Sequence, residues 1–134
     1  MDDIIYIGSS QTLVDEFKCE MMKAFKMTDL GLLHYFLGLE IKQGIHGVFI
    51  AQRKYAEDLV KRISMQGCKK AMTPMNTSEK LEANDGSGHA DAKKYRSIVG
   101  GLIYLAHTLP DIMFSVGVLS KFMNSPSKHH LGAA

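Results

Sequence analysis

Met1-Asp2-Asp3-Ile4-Ile5-Tyr6-Ile7-Gly8 opens the chain, and its reading sets the fold. Ile4 to Ile7 are β-branched and aromatic, the composition of a short strand, and Gly8-Ser9-Ser10 supplies its end. Asp2 and Asp3 then stand at the strand tip. Adjacent carboxylates repel unless a cation or a basic group offsets them. A hard divalent ion held by oxygens, with phosphates completing its shell, is the offset used in phosphoryl transfer. A solvated turn is the plain alternative.

Outward from that stretch the pattern changes period. Thr12 with Asp15 three residues on gives a helix-start signature, and Leu13, Phe17, Met21 and Phe25 recur every four residues. The spacing predicts a helix to about Lys26, with Asp15 and Glu16 in its first turn and Lys23 and Lys26 in its last. Two extended runs follow, His34 to Lys42 and Val48 to Ala51, around Gln43-Gly44-Ile45-His46-Gly47, which reads as a β-hairpin. From Arg53 to Ser64, Ala56, Leu59, Val60 and Ile63 form one apolar stripe of a second helix. Thr73-Pro74 stops regular structure, and residues 76–90 read as a linker or flexible loop. A third helix carries Tyr95, Ile98, Val99, Leu102, Ile103 and Ala106. Gly100-Gly101 inside it costs about 1 kcal/mol per glycine, so close packing is expected there. Pro110 suits the first turn of a fourth helix bearing Ile112, Met113, Val116, Leu119 and Phe122, ended by Asn124-Ser125-Pro126. The fold class is α+β: strand, helix, hairpin, then about three helices.

Composition narrows the function. The 134 residues suffice for one domain or two small subdomains, and 46% are hydrophobic. No apolar run approaches a membrane span, and the N-terminus lacks a signal-peptide pattern, so an intracellular, non-secreted chain with no membrane partner is expected. Cys19 and Cys68 have no partners at metal-ligand spacing. His34, His46, His89, His107, His129 and His130 share no ligand pattern, which favours surface or packing roles. The net charge of +2 conceals alternation. Residues 1–51 carry 4 basic against 7 acidic side chains and residues 76–92 carry 1 against 4. Residues 52–75 carry 6 against 2, and residues 93–134 carry 5 against 1. An acidic edge beside two basic segments suits a metal site next to a polyanion-holding surface; solvation of helix faces is the competing reading.

The segments occur in a specific order. Asp2-Asp3-Ile4-Ile5-Tyr6-Ile7-Gly8, His34-Tyr35-Phe36-Leu37-Gly38-Leu39-Glu40-Ile41, Gln52-Arg53-Lys54-Tyr55-Ala56 and Cys68-Lys69-Lys70 come first. Tyr95-Arg96-Ser97-Ile98-Val99-Gly100, Leu102-Ile103-Tyr104-Leu105, Pro110-Asp111-Ile112 and Ser125-Pro126 follow. This series resembles the reverse transcriptase of copia-type LTR retrotransposons and covers nearly the whole chain. The resemblance implies a palm remnant at residues 1–51, ending in a primer-grip-like hairpin, and a helical thumb or connection region at 52–134. It implies that Asp2 and Asp3 are catalytic and metal-binding, the acids of a Tyr-X-Asp-Asp motif inside which the chain starts, with Mg2+ as the family's ion. The implied partners are template–primer nucleic acid, the upstream palm and fingers, and the ribonuclease H domain. Lys61, Arg62, Lys69, Lys70, Lys93, Lys94 and Arg96 are the candidates for contacts to the duplex backbone. Leu109 stands where the family usually has arginine before Pro-Asp, a departure from the local pattern. Without a third metal-binding aspartate the fragment is expected to be inactive alone and to bind no metal. The alternative is a non-enzymatic nucleic-acid-binding or protein-interaction remnant of a degenerate element.

Overall fold

A strand needs a hydrogen-bonded neighbour, and the opening apolar run has none among the described residues. The computed structural model describes residues 4–76, 78 and 80–134, so Asp2 and Asp3 lie outside the described residues. Residues 4–7, expected as a strand, are irregular chain. Their side chains are exposed, Ile7 to 98%. The chain divides into two compact units, residues 1–33 and 34–134.

In the first unit, α1 spans Gln11–Ala24. It begins one residue before Thr12 and stops short of Lys26, so Asp15 falls beyond the first turn and Lys26 outside the helix. The expected cap at Thr12 is replaced by an i,i+4 bond from Gln11 Nε2 to Asp15 Oδ1 at 3.0 Å. Lys18 pairs with Asp29 beyond the helix end. Tyr6 tilts against Phe17 at 5.4 Å, yet no residue of α1 is buried.

The second unit opens with a sheet richer than one hairpin. It is a three-stranded antiparallel meander of β1 Tyr35–Phe36, β2 Leu39–Gly44 and β3 Gly47–Ala51. The expected five-residue connection tightens to Ile45-His46, because Gly44 pairs with Gly47 and Gly47 takes a φ of +133° that favours glycine. The unexpected turn is Leu37-Gly38, where both residues have positive φ and Phe36 pairs with Leu39.

α2 spans Arg53–Arg62, ending two residues early as Ser64 turns left-handed at φ 60°. α3 spans Ala92–Leu105, capped by Asp91, whose carboxylate accepts from the amides of Lys93 at 2.9 Å and Lys94 at 3.1 Å. Pro110–Ile112 forms a 3-10 turn that leads into α4, Met113–Ser120. A further helix, α5 at Lys128–Ala133, has no counterpart in the expected order.

The core lies on α3. Tyr95 and Val99 are fully buried against Leu119 of α4, with Leu81, Leu102, Phe122 and Leu131 around them. The Tyr95 hydroxyl donates to the Leu119 carbonyl at 2.8 Å, and burial pushes its phenol above the usual range. The close packing expected at the glycine pair belongs to Gly101 alone, where a Cβ would stand 2.6 Å from Leu59 Cδ1. Nothing lies within 4 Å of a Cβ built on Gly100. At the sheet end of α2, buried Gln52 accepts from the Thr108 hydroxyl at 2.7 Å, joining β3 to the turn after α3.

Candidate nucleic-acid interface

Lys61 and Arg62 occupy the last turn of α2, where cations complement the negative end of the helix dipole. Both are exposed, and Lys61 Nζ lies 3.7 Å from Asp58 one turn back. Such an exposed pair is worth little, so the charge stays available. Lys69 and Lys70 follow a turn at Gly67 (φ +77°) and are exposed on irregular chain. Lys93 and Lys94 project from the first turn of α3. Asp91 already uses their amides, so this helix end offers two ammonium groups rather than free N–H donors.

Arg96 differs from the other six. Its Nε donates to the Met123 carbonyl at 2.8 Å and a terminal nitrogen reaches the Asn124 carbonyl at 3.5 Å, which ties α3 to the chain leaving α4. The guanidinium is exposed but committed to the fold. Lysine could not replace this fork without losing a bond.

Sequence reasoning missed a polar cluster among the described residues, between residues 82–90 and α5. Asp85 accepts from the Ser127 hydroxyl, the Ser87 hydroxyl at 2.7 Å and the Ser87 amide at 2.8 Å. Those bonds, led by Ser127, hold its carboxyl well below the usual carboxylate range against opposing burial. Ser127 Oγ also accepts from the His130 amide, and the Ser127 amide donates to His130 Nδ1 at 3.0 Å. That is a capping box with histidine in place of the usual glutamate, so the Ser-x-x-His spacing was the readable signal. With Nδ1 accepting, the proton sits on Nε2, which donates to the Glu82 carbonyl at 3.0 Å. His130 is fully buried and stacked on Phe122 at 3.8 Å, and His129 beside it is partly exposed. The ring never meets the Ser127 hydroxyl, so the trio is a structural clasp and not a nucleophile–base pair. Of the expected linker, residues 82–90 are therefore tethered, with bonds from Ala90 N to Pro126 O and Lys128 N to Gly88 O.

No group of three acidic, histidine or cysteine side chains among the described residues could hold a metal ion. The described residues do not fit a magnesium cage by themselves. None of their helices is long and apolar enough to cross a membrane.

Residues 1–77 match the family model described as reverse transcriptase (RNA-dependent DNA polymerase). The chain is 41% identical over 133 residues to a retrovirus-related Pol polyprotein from transposon RE1 of Arabidopsis thaliana, covering 99% of this chain and 9% of that protein. It is 32% identical over 139 residues to the Pol polyprotein from transposon TNT 1-94 of Nicotiana tabacum, covering 97% of this chain and 10% of that one. An uncharacterized mitochondrial protein of Arabidopsis thaliana is 40% identical over 130 residues, which is 95% of this chain and 52% of that protein. The chain thus spans about a tenth of the Pol polyproteins and about half of the mitochondrial protein. No solved structure matches it.

Proposed function

Since the chain belongs to the reverse transcriptase family of copia-type Pol polyproteins, we propose that it forms the end of the palm and the thumb of an RNA-directed DNA polymerase, where it holds the template–primer duplex. Residues 1–51 contribute the palm end with its meander, and residues 52–134 the thumb or connection helices. The observation that carries the reading is the distribution of cations. Lys61, Arg62, Lys69, Lys70, Lys93 and Lys94 are all exposed, on the end of one helix, the chain after it and the start of another. Side chains so placed neutralise phosphates without reading bases, which suits an enzyme that copies any sequence. In this reading Asp2 and Asp3 bind Mg2+ together with an aspartate from the polyprotein's preceding palm strand.

Fluorescence anisotropy of a labelled RNA–DNA hybrid tests it. The chain should bind with a Kd of about 10⁻⁴ to 10⁻⁶ M at physiological salt, equally for unrelated sequences. Changing Lys61, Arg62, Lys93 and Lys94 to Glu should weaken binding evenly and flatten the salt dependence by roughly one logarithmic unit for each phosphate no longer neutralised. Binding indifferent to salt or to those four changes would overturn the assignment. In primer extension with magnesium, the 134-residue chain alone should add no nucleotides above background. Incorporation abolished by Asp2→Asn would instead locate a complete site in this chain.

A further inference from the structure

Gly86 follows Asp85, the one Asp-Gly pair in the chain. An aspartyl carboxyl beside a glycine has a reaction of its own. Glycine has no side chain to shield its amide nitrogen, and its backbone turns freely enough to bring that nitrogen onto the preceding Cγ. The nitrogen bonds to Cγ and gives up its proton, while the C–OH bond of the protonated carboxyl breaks and the oxygen leaves as water. Water then opens the five-membered imide at either carbonyl. One opening returns aspartate; the other yields isoaspartate, in which the main chain runs through the former side chain. One water leaves and one returns, so no oxidant, reductant or further reactant is needed.

The setting of Asp85 both permits this reaction and restrains it. Gly86 is exposed with a φ of +72°, and a Cβ built on it would meet nothing within 4 Å, so no packing blocks ring closure. The restraint falls on the carboxyl. Oδ1 accepts from the Ser87 amide at 2.8 Å and the Ser87 hydroxyl at 2.7 Å, and Oδ2 accepts from the Ser127 hydroxyl. These bonds hold the carboxyl well below the usual carboxylate range, so it stays ionised and has no OH to lose. The Asp85 side chain is only 10% exposed, so little solvent reaches it to replace a lost bond.

We propose that Asp85-Gly86 is a site of isoaspartate formation that Ser87 and Ser127 keep closed, so that the reaction proceeds only when residues 82–90 come away from α5. Its rate then follows the fraction of molecules in which that local opening has occurred. The product cannot restore the clasp. Isoaspartate carries its carboxylate directly on Cα, one carbon shorter than before, and the backbone is one carbon longer, so neither serine is met in the same place. A passing opening is thereby converted into a lasting release of α5. The inference is independent of the duplex-holding reading, since it needs only the groups that meet at Asp85.

The test uses the full chain, Ser127→Ala and Ser87→Ala, incubated in mildly acidic buffer well below the thermal midpoint. The parent unfolded in urea serves as the unguarded reference. Labelling by an isoaspartyl methyltransferase gives the rate, and fragmentation mass spectrometry gives the position. The folded parent should isomerise far more slowly than the unfolded chain. Each variant should isomerise at position 85 about tenfold faster than the parent, the factor that one hydrogen bond to a charged group supplies. Should Ser127→Ala fail to fold, Ser87→Ala decides alone, because it leaves the α5 cap in place. Hydrogen exchange of the purified isoaspartate form reads the release. The amides of Ala90 and Lys128, which bond to the Pro126 and Gly88 carbonyls, should exchange faster than in the unmodified chain. A folded parent that reacts as fast as the unfolded chain overturns the guard, as does a parent rate in the folded serine variants. Unchanged exchange at Ala90 and Lys128 in the isoaspartate form overturns the release.

Discussion

At residue scale, neighbouring glycines carry opposite demands. Gly100 faces open space, so Gly100→Ala should stabilise the chain by about 0.5–1 kcal/mol through reduced backbone freedom in the unfolded state. Gly101→Ala drives a methyl into Leu59, which is 2% exposed and cannot swing away, and should destabilise by about 1–3 kcal/mol. Urea denaturation of the two variants reads the contrast directly. Asp85 makes stability depend on acid. Its folded carboxyl titrates below the ordinary unfolded value of about 3.9, so its contribution is fully present above that pH. It fades as pH falls below about 4 toward the lower folded value. In Asp85→Asn the melting temperature should vary less between about pH 2 and 4 than in the parent. An identical pH profile for the two proteins would remove Asp85 from the acid response. Neither behaviour is legible in the sequence. Two glycines in a helical stripe look alike, and an aspartate in a polar loop shows no sign of the serine that folds onto it from 42 positions along the chain.

At element scale, apolar periodicity located α2 and α3 and their buried faces, because side chains every three or four residues must meet a neighbour to be stable. The periodic signal failed at chain ends and turns. Residues 4–7 have strand composition but no ladder partner among the described residues, so composition alone could not make them a strand. The start of α3 joins stability to function. Asp91 caps the helix and places a negative charge beside Lys93 and Lys94. Asp91→Asn keeps an equally good capping side chain and removes that charge, so hybrid affinity should rise at nearly constant stability. Asp91→Ala should instead cost about 1 kcal/mol in urea denaturation. A drop in hybrid affinity for Asp91→Asn would mean that these lysines are not part of the contact surface.

At the scale of the molecule, every buried hydrophobic side chain of the described residues falls within 34–134, from Ile41 to Leu119. A chain of residues 34–134 should therefore keep the main cooperative unfolding transition of the parent, as measured by near-ultraviolet circular dichroism during heating. Loss of that transition would show that residues 1–33 support the core.

The sequence by itself determined the α+β class, the family and the positions of the basic segments. These depend on local composition, periodicity and motif order, which need no knowledge of distant contacts. Only the tertiary structure decided that residues 82–90 are clasped to the start of α5, that Arg96 serves the fold, and that the Tyr104 hydroxyl bonds the Leu37 carbonyl. Each of those outcomes joins groups 27 to 67 residues apart, and such pairings are fixed by how the helices pack.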